Sequence, residues 1–328
     1  MLRAQYERRG PVPQEVIDAV EFDAPPLQAG QALLEVVAAP INPSDLLTLT
    51  GEYGDLPPLP AIGGREGVGR SAELGPDAGE LAVGRLVLLP RGCGTWSTHV
   101  VAVAAQLQPL PNEADPLQLS MMTINPPTAA LLLSEFVSLQ PGEWVIQNAA
   151  NSAVGLYLVQ LARYRGYRTV NVVRREDAAE VVRETGGDVV LLDREDLAGR
   201  VSAAVDGAQI RLGIDAVAGA ATGRLADCLC ESATLVSYGR MSGEPCGVQP
   251  DALVFRDLTL RGFWLARWFQ RAPEERRRAI AGEIAGLIAT GKLHAPIQAT
   301  YDVSEIKDAV AAAASDGRSG KILIVPRR

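Results

Sequence analysis

The chain has 328 residues, 47% hydrophobic and 21% charged, and its 39 acidic against 31 basic side chains give a formal net charge of −8. A chain of this length buries a large core and is expected to form two domains, while the acidic balance argues against nucleic acid as a partner. No apolar run reaches the roughly 18–20 residues of a membrane span. Glu7 interrupts the N-terminal arginines Arg3, Arg8 and Arg9 and no apolar run follows them, so neither a membrane partner nor export is expected.

The first 120 residues carry short β-like runs at Ala32–Ala38, Gly67–Leu74, Arg85–Leu89 and Thr98–Val103. Turn signals such as G-E-Y-G-D-L-P-P-L-P and G-P-D-A-G-E separate them. This texture predicts an irregular β-rich barrel or sandwich. From about Met121 the text alternates. Strands are expected at Trp144–Asn148, Thr169–Val173, Asp188–Leu192, Leu212–Val217, Thr234–Tyr238 and Thr259–Phe263. Helices are expected at Val154–Arg165, Ala178–Thr185 and Thr222–Glu231. That βα alternation predicts an α/β fold with a doubly wound parallel sheet. A charged amphipathic helix is expected at Pro273–Thr290. Strand-like text at Gln298–Tyr301 and Lys321–Val325 then flanks an Ala-rich helix at Ser304–Ala314. The nucleotide-binding domain, residues 121–289, is therefore read as an insert in a β-rich domain made of residues 1–120 and 290–328.

The most telling stretch is Trp144 to Arg175, which reads strand, tight turn, helix, strand. Small residues at Ala149, Ala150, Ser152, Ala153 and Gly155 follow the buried run. The helix N-terminus there offers free N–H groups and a positive dipole end, which suits a pyrophosphate. Of the G-x-G-x-x-G fingerprint only Gly155 is present. Asn151 or Ser152 also reads as a plain helix N-cap, compatible with phosphate binding. NAD-binding versions of this unit usually end the second strand in Asp or Glu, which bonds the ribose 2′-hydroxyl. Here it ends in Arg174 and Arg175, which suit a 2′-phosphate and point to NADPH; the bland alternative is an exposed basic pair facing Glu176 and Asp177.

The four cysteines, Cys93, Cys228, Cys230 and Cys246, form no C-x-x-C pair and no four-cysteine zinc lobe. They read as structural thiols in a reducing cytoplasm. With only His99 and His294, Ser-His chemistry and multi-His metal sites have almost no material.

Several segments together resemble the medium-chain dehydrogenase/reductase superfamily, and within it the mitochondrial-type trans-2-enoyl thioester reductases. They are I-N-P-S-D at Ile41–Asp45, G-E-Y-G-D-L-P-P-L-P-A-I-G-G-R-E-G at Gly51–Gly67, V-I-Q-N-A-A-N-S-A-V-G, N-V-V-R-R, Y-G-R-M at Tyr238–Met241 and F-R-D-L-T-L-R-G-F-W-L at Phe255–Leu265. The resemblance implies a Rossmann sheet inserted in a GroES-like catalytic domain. It implies NADPH as cofactor, an acyl thioester of coenzyme A or an acyl-carrier protein as substrate, and a homodimer. It also implies the absence of metal. Where the zinc alcohol dehydrogenases of the superfamily place a Cys ligand, this chain runs I-N-P-S-D, and where they carry G-H-E it has Gly64-Arg65-Glu66.

By the same resemblance Tyr53 is the active-site tyrosine, donating a proton or hydrogen bond as the substrate takes hydride; otherwise it is a turn tyrosine over Pro57 and Pro58. Asn151, Ser152, Ala153 and Val154 match the pyrophosphate turn. Tyr238, Gly239 and Met241 follow a strand whose carboxyl end faces ligand in such sheets. Phe263, Trp264 and Leu265 match the segment along the nicotinamide and acyl pocket, and Asn125 and Lys321 match cofactor contacts. Asn42 and Asp45 read either as site-lining residues or as a helix start at Pro43. Two departures stand out: Arg240 where a small residue is usual, and Ala130 where a tyrosine is usual. Arg276–Arg278 reads as a solvated helix face, with docking of an acidic carrier as its alternative. The rival functions are an NADPH quinone or enone reductase of the same fold and a catalytically silent NADPH-binding protein.

Overall fold

A computed structural model describes residues 1–327. The chain divides into two units, Met1–Thr123 with Ala285–Arg328, and Ile124–Ile284.

The first unit opens with strands β1 (Leu2–Tyr6), β2 (Ile17–Glu21), β3 (Gln31–Pro40), β4 (Ala61–Ile62), β5 (Val68–Leu74), β6 (Leu86–Leu88), β7 (His99–Val103) and β8 (Gln108–Pro109). In the second unit lie β9 (Trp144–Gln147), β10 (Arg168–Val173), β11 (Val189–Leu192), β12 (Ile210–Asp215), β13 (Thr234–Ser237) and β14 (Thr259–Gly262), and the chain closes with β15 (Ile297–Tyr301) and β16 (Lys321–Ile324). The expected strands appear with ends shifted by a residue or two. The N-terminal strands β1 and β2 were not expected, because charges break their alternation.

Two sheets build the first unit: a three-stranded one in the order β2-β1-β4, and a seven-stranded one in the order β15-β16-β3-β5-β6-β8 with β7 also paired to β3. The long strand β3 is its spine, receiving β5 and β7 antiparallel and the returning C-terminal β16. Ala32, Leu34, Val36 and Ala39 of β3 share one core with Trp96, Ile322, Ile324 and the inward face of the helix Ile306–Ala314. Trp96 is fully buried, and its indole N–H donates to Pro40 O at 3.2 Å. A Cβ on Gly63 would lie 2.2 Å from the Trp96 ring, and Gly64 has φ +91°. The glycine pair therefore lets the chain pass over the indole just before Arg65 and Glu66.

The second unit is one parallel sheet in the order β11-β10-β9-β12-β13-β14. The sequence of strands reverses at β9 and β12. That topological switch point marks where ligands bind in such sheets, beyond the carboxyl ends of the strands. β9 is buried along its whole length, as its continuous apolar text requires of a strand covered on both faces. The helices Ala153–Tyr164, Glu176–Glu184 and Ala220–Asp227 answer the three helices expected between strands. A further helix, Leu197–Ala204, escapes sequence reading because only Leu197 and Val201 of it are buried. Leu265–Arg271 is also a helix, which its aromatic run did not suggest. No helix among the described residues is long and apolar enough to cross a membrane.

Candidate active site and cofactor site

In the second unit the chain turns sharply after β9. Ala149 takes φ +47°, and Ser152 caps the helix Ala153–Tyr164, its hydroxyl accepting from Gly155 N at 3.2 Å. Of the two possible caps, Ser152 is therefore the one used. A Cβ on Gly155 would lie 2.5 Å from Ala150 O, so the one surviving glycine of the fingerprint is the one that lets helix and turn touch. The first N–H groups of the helix, those of Ala153 and Val154, have no intrahelical acceptor. Asn151, Ser152 and Ala153 are partly exposed, while Val154 is buried.

Polar side chains buried behind the turn hold it. Asn148 donates to Asp215 Oδ1 at 2.6 Å and accepts from Ala216 N at 2.8 Å. Asp215, fully buried at the end of β12, also accepts from Val217 N, Ala218 N and the Thr222 hydroxyl. Gln147 donates to Gly155 O at 3.0 Å and to Asn171 Oδ1 at 2.8 Å, linking β9, the helix and β10. Sequence reading carried Gln147, Asn148 and Asn171 only as text of the resemblance, with no role assigned, and missed Asp215; the only signal for the network was polar text at the ends of otherwise apolar strands.

Arg174 and Arg175 leave the end of β10 exposed. Arg175 pairs with Asp177 at 3.1 Å, so half of the bland alternative is realised. Arg174 makes no hydrogen bond or ion pair among the described residues. Tyr238 follows β13, and its hydroxyl bonds Ser152; burial pushes the phenol above its ordinary pKa. A Cβ on Gly239 would lie 2.7 Å from Ala216 O. Met241 and Arg240 are exposed. Phe263 packs edge-on against Phe136 with centroids 5.9 Å apart, Trp264 lies under the Arg267 guanidinium, and Leu265 is buried at the start of its helix. Asn125 is buried in the first turn of the helix Asn125–Leu132. Ala130 is fully buried in the same helix.

These features fit a dinucleotide. Unbonded N–H groups stand over a turn of small residues, and an uncommitted guanidinium stands beyond the neighbouring strand.

In the first unit the helix Pro43–Thr50 begins with a capping box between Asn42 and Asp45, so the helix-start reading holds. Asn42 also donates to Glu66 Oε1 at 2.8 Å and accepts from Lys321 Nζ at 2.6 Å. Glu66 Oε2 accepts from the Thr123 amide and hydroxyl, and Lys321 also donates to Ile41 O. Four side chains thus interlock in the dry interior. Burial pushes the Glu66 carboxyl up, with Lys321 opposing, pushes Asp45 up to about 7, and pushes Lys321 down to about 8. Among the described residues no cluster of three His, Cys, Asp or Glu side chains is placed to hold a metal.

Tyr53 follows this helix, partly exposed, with its amide donating to Leu47 O at 3.0 Å. The Arg65 guanidinium lies over its ring, 4.3 Å from the centroid.

Comparison with known proteins agrees with this architecture. The alcohol dehydrogenase GroES-like domain model matches residues 28–112, and the zinc-binding dehydrogenase model matches residues 153–285. A Caenorhabditis elegans protein named mitochondrial enoyl-[acyl-carrier-protein] reductase is 37% identical over 272 residues, covering 81% of this chain and 78% of the relative. Among solved structures, a mitochondrial 2-enoyl thioester reductase heterodimer, Etr1p/Etr2p, from Candida tropicalis superimposes with TM-score 0.87 at 25% identity, over 99% of each chain. A Bacillus thuringiensis protein provisionally named an NADPH:quinone reductase gives TM-score 0.90 at 26% identity, again over 99% of each. The cytoplasmic location expected from the sequence does not stand, since enoyl-[acyl-carrier-protein] reductases similar to this chain, from Caenorhabditis elegans, Dictyostelium discoideum and Homo sapiens, are named mitochondrial. The chain belongs to the mitochondrial-type enoyl-[acyl-carrier-protein] reductase family of the medium-chain dehydrogenases/reductases.

Proposed function

We infer that this protein is an NADPH-dependent oxidoreductase that reduces the C2=C3 double bond of a trans-2-enoyl thioester. Bound NADPH supplies the hydride, which goes to the β-carbon. As it arrives, negative charge builds on the thioester carbonyl side, and the Tyr53 hydroxyl donates a hydrogen bond or a proton there. Asn151, Ser152, Ala153 and Val154 hold the pyrophosphate at the helix N-terminus. Arg174 and Arg175 take the 2′-phosphate. Tyr238, Gly239, Met241, Phe263, Trp264 and Leu265 border the nicotinamide and acyl ends, with Asn125 and Lys321 as further contacts.

The observation that carries this reading is the small-residue turn under a free helix N-terminus, with an uncommitted Arg174 at the end of the next strand, in a chain of this family. The quinone and enone reading shares that turn, and a non-catalytic role would leave Tyr53 idle. NADPH oxidation followed with a series of 2-enoyl coenzyme A esters, with NADH and a quinone in parallel, separates the three. NADPH-selective turnover of the esters is expected. Quinone turnover alone, or NADPH binding with no turnover, would end the enoyl reading.

Two finer features belong to the same proposal. The edge strand β14 is exposed throughout, and Val254 and Phe255 beside it are 70% and 76% exposed. An unpaired edge flanked by apolar side chains suits a second copy of this chain. Arg261, Arg267, Arg271, Arg276, Arg277 and Arg278 are all exposed on the second unit of an otherwise acidic protein. These exposed cations suit an acidic acyl-carrier protein better than coenzyme A alone.

A further inference from the structure

We propose that Arg65 is a positioning residue for the Tyr53 phenol; the proposal rests on Tyr53 acting as the donor in thioester reduction. Three contacts converge on one guanidinium. Its Nη2 donates to Thr48 Oγ1 at 3.1 Å on the helix Pro43–Thr50, and to Asp55 O at 3.0 Å in the loop that carries Tyr53. Its carbon lies 4.3 Å from the Tyr53 ring centroid. The main chain at Tyr53 is already tied to the helix through Leu47 O. The guanidinium over the ring adds a restraint on rotation of the side chain.

Arg65 is itself held from a rigid place. Gly64 before it passes against Thr95 and Trp96, where a Cβ would meet Thr95 Oγ1 at 2.4 Å. Glu66 after it is buried and tied to Asn42 and Thr123. Arg65 forms no direct ion pair with a carboxylate among the described residues, and the Asp45 carboxyl attracts it only through space. Apart from Arg9, whose guanidinium donates to Pro57 O, the loop it clamps is open, with Gly54, Asp55, Leu56, Pro58 and Leu59 exposed. A donor that must meet a developing charge cannot be left to a loose loop, because misplacement by about 1 Å can cost on the order of 100-fold in rate. Lysine is a poor substitute, since its compact ammonium lacks the delocalised planar group with which a guanidinium packs on a ring.

A double-mutant cycle tests this, with NADPH and crotonyl-coenzyme A as reactants. Arg65→Ala is expected to lower kcat by roughly 10- to 100-fold with the KM for NADPH little changed, and Arg65→Lys to recover only part of the loss. Once Tyr53→Phe has removed the hydroxyl, adding Arg65→Ala should cost less than about twofold, because coupled residues are not additive. An equal loss from Arg65→Ala in both backgrounds would overturn the proposal and make Arg65 a structural clip. Should Arg65→Ala not fold, Arg65→Lys and Thr48→Val run the same cycle. Full activity of Tyr53→Phe would instead remove Tyr53 from the mechanism, and the positioning role with it. Ring motion gives a readout independent of turnover. The Tyr53 aromatic NMR signals, assigned by their loss in Tyr53→Phe, should show faster ring flipping in Arg65→Lys, and an unchanged flip rate would refute the clamp.

Discussion

Asn148 donates to Asp215 Oδ1 at 2.6 Å, joining the carboxyl ends of β9 and β12 where the order of the sheet reverses. This bond sits directly behind the turn that ends at Ser152. Asp215 serves as the hub, since the backbone of Val217 and Ala218 and the hydroxyl of Thr222 also donate to it. Asp215→Ala would strand all of these donors in a dry interior, costing on the order of 3–5 kcal/mol. Thermal unfolding should shift down by about 10 °C, and the dissociation constant for NADPH should rise with it. Asp215→Asn keeps the shape and most acceptor capacity, so its melting point should fall between the two. An unchanged melting point in Asp215→Ala would remove the hub.

The buried cluster of the first unit predicts a pH dependence of stability. Asp45 is raised from 3.8 to about 7, with burial as the largest cause and the Asn42 N–H, Arg65 and Lys321 opposing it. Between these values the folded protein keeps a proton that the unfolded chain has released. Stability from this group is therefore greatest at low pH and falls as pH rises toward 7. Glu66 shifts in the same direction. Lys321, lowered to about 8 from 10.5, acts in another window, where the unfolded chain holds the proton and stability rises with pH. Asp45→Asn keeps an oxygen for the Asn42 N–H and carries no charge. Denaturation profiles of this variant should be flatter than wild type between about pH 4 and 7, and it should be the more stable of the two near pH 7.5. A slope identical to wild type would show that Asp45 does not titrate there.

What could be read from the sequence, and what could not, follows from how far apart the cooperating residues lie. The parallel sheet was legible because each strand of the second unit is a short apolar run followed by a helical period, and small residues after Gln147 mark the turn. The Arg174-Arg175 pair was legible because its place at a strand end is local. The Asn42–Glu66–Lys321 network was not, since its members come from the start, middle and end of the first unit and meet only through β3 and β16. Arg65 read as the absence of a zinc ligand, and its contact with Tyr53 needed Gly63 and Gly64 to carry the chain over Trp96. The helix Leu265–Arg271 was hidden because its aromatic residues match core or pocket text equally well.

Cofactor choice should rest on the two arginines. Arg174 is uncommitted and Arg175 is held only by an exposed pair with Asp177, a bond cheap to exchange for a phosphate. Each charge-assisted bond to a 2′-phosphate is worth roughly 1.5–3 kcal/mol. The Arg174→Ala, Arg175→Ala double variant should therefore lose on the order of 100-fold in the ratio of kcat/KM for NADPH over NADH. Most of the change should be in the KM for NADPH. Retention of the wild-type ratio would place 2′-phosphate recognition elsewhere.

Tyr53→Phe removes one oxygen and leaves the ring under the Arg65 guanidinium. Loss of a single donor aimed at developing charge typically costs about 100- to 1,000-fold in kcat. Binding of NADPH, measured by fluorescence titration, should stay within about twofold of wild type, because the residues proposed to bind its phosphates belong to the second unit. Undiminished turnover of an enoyl thioester would take Tyr53 out of the mechanism.

Carrier preference should follow the exposed arginines of the second unit. Arg276 pairs with Glu135 and Arg278 with Glu274, whereas Arg271 and Arg277 make no ion pair among the described residues. These two can be reversed without stranding a carboxylate partner. Arg271→Glu with Arg277→Glu turns two attractive charges into repulsive ones, and exposed charges act mainly on encounter and are screened by salt. With an enoyl acyl-carrier protein, kcat/KM should drop on the order of 10-fold or more at low ionic strength, and the drop should shrink as salt is added. With the coenzyme A ester of the same acyl chain, whose small carrier has no extended acidic surface, kcat/KM should stay within about twofold. Equal losses on both carriers would mean that these arginines act on the thioester phosphates the carriers share, and no loss on either would make them a solvated helix surface.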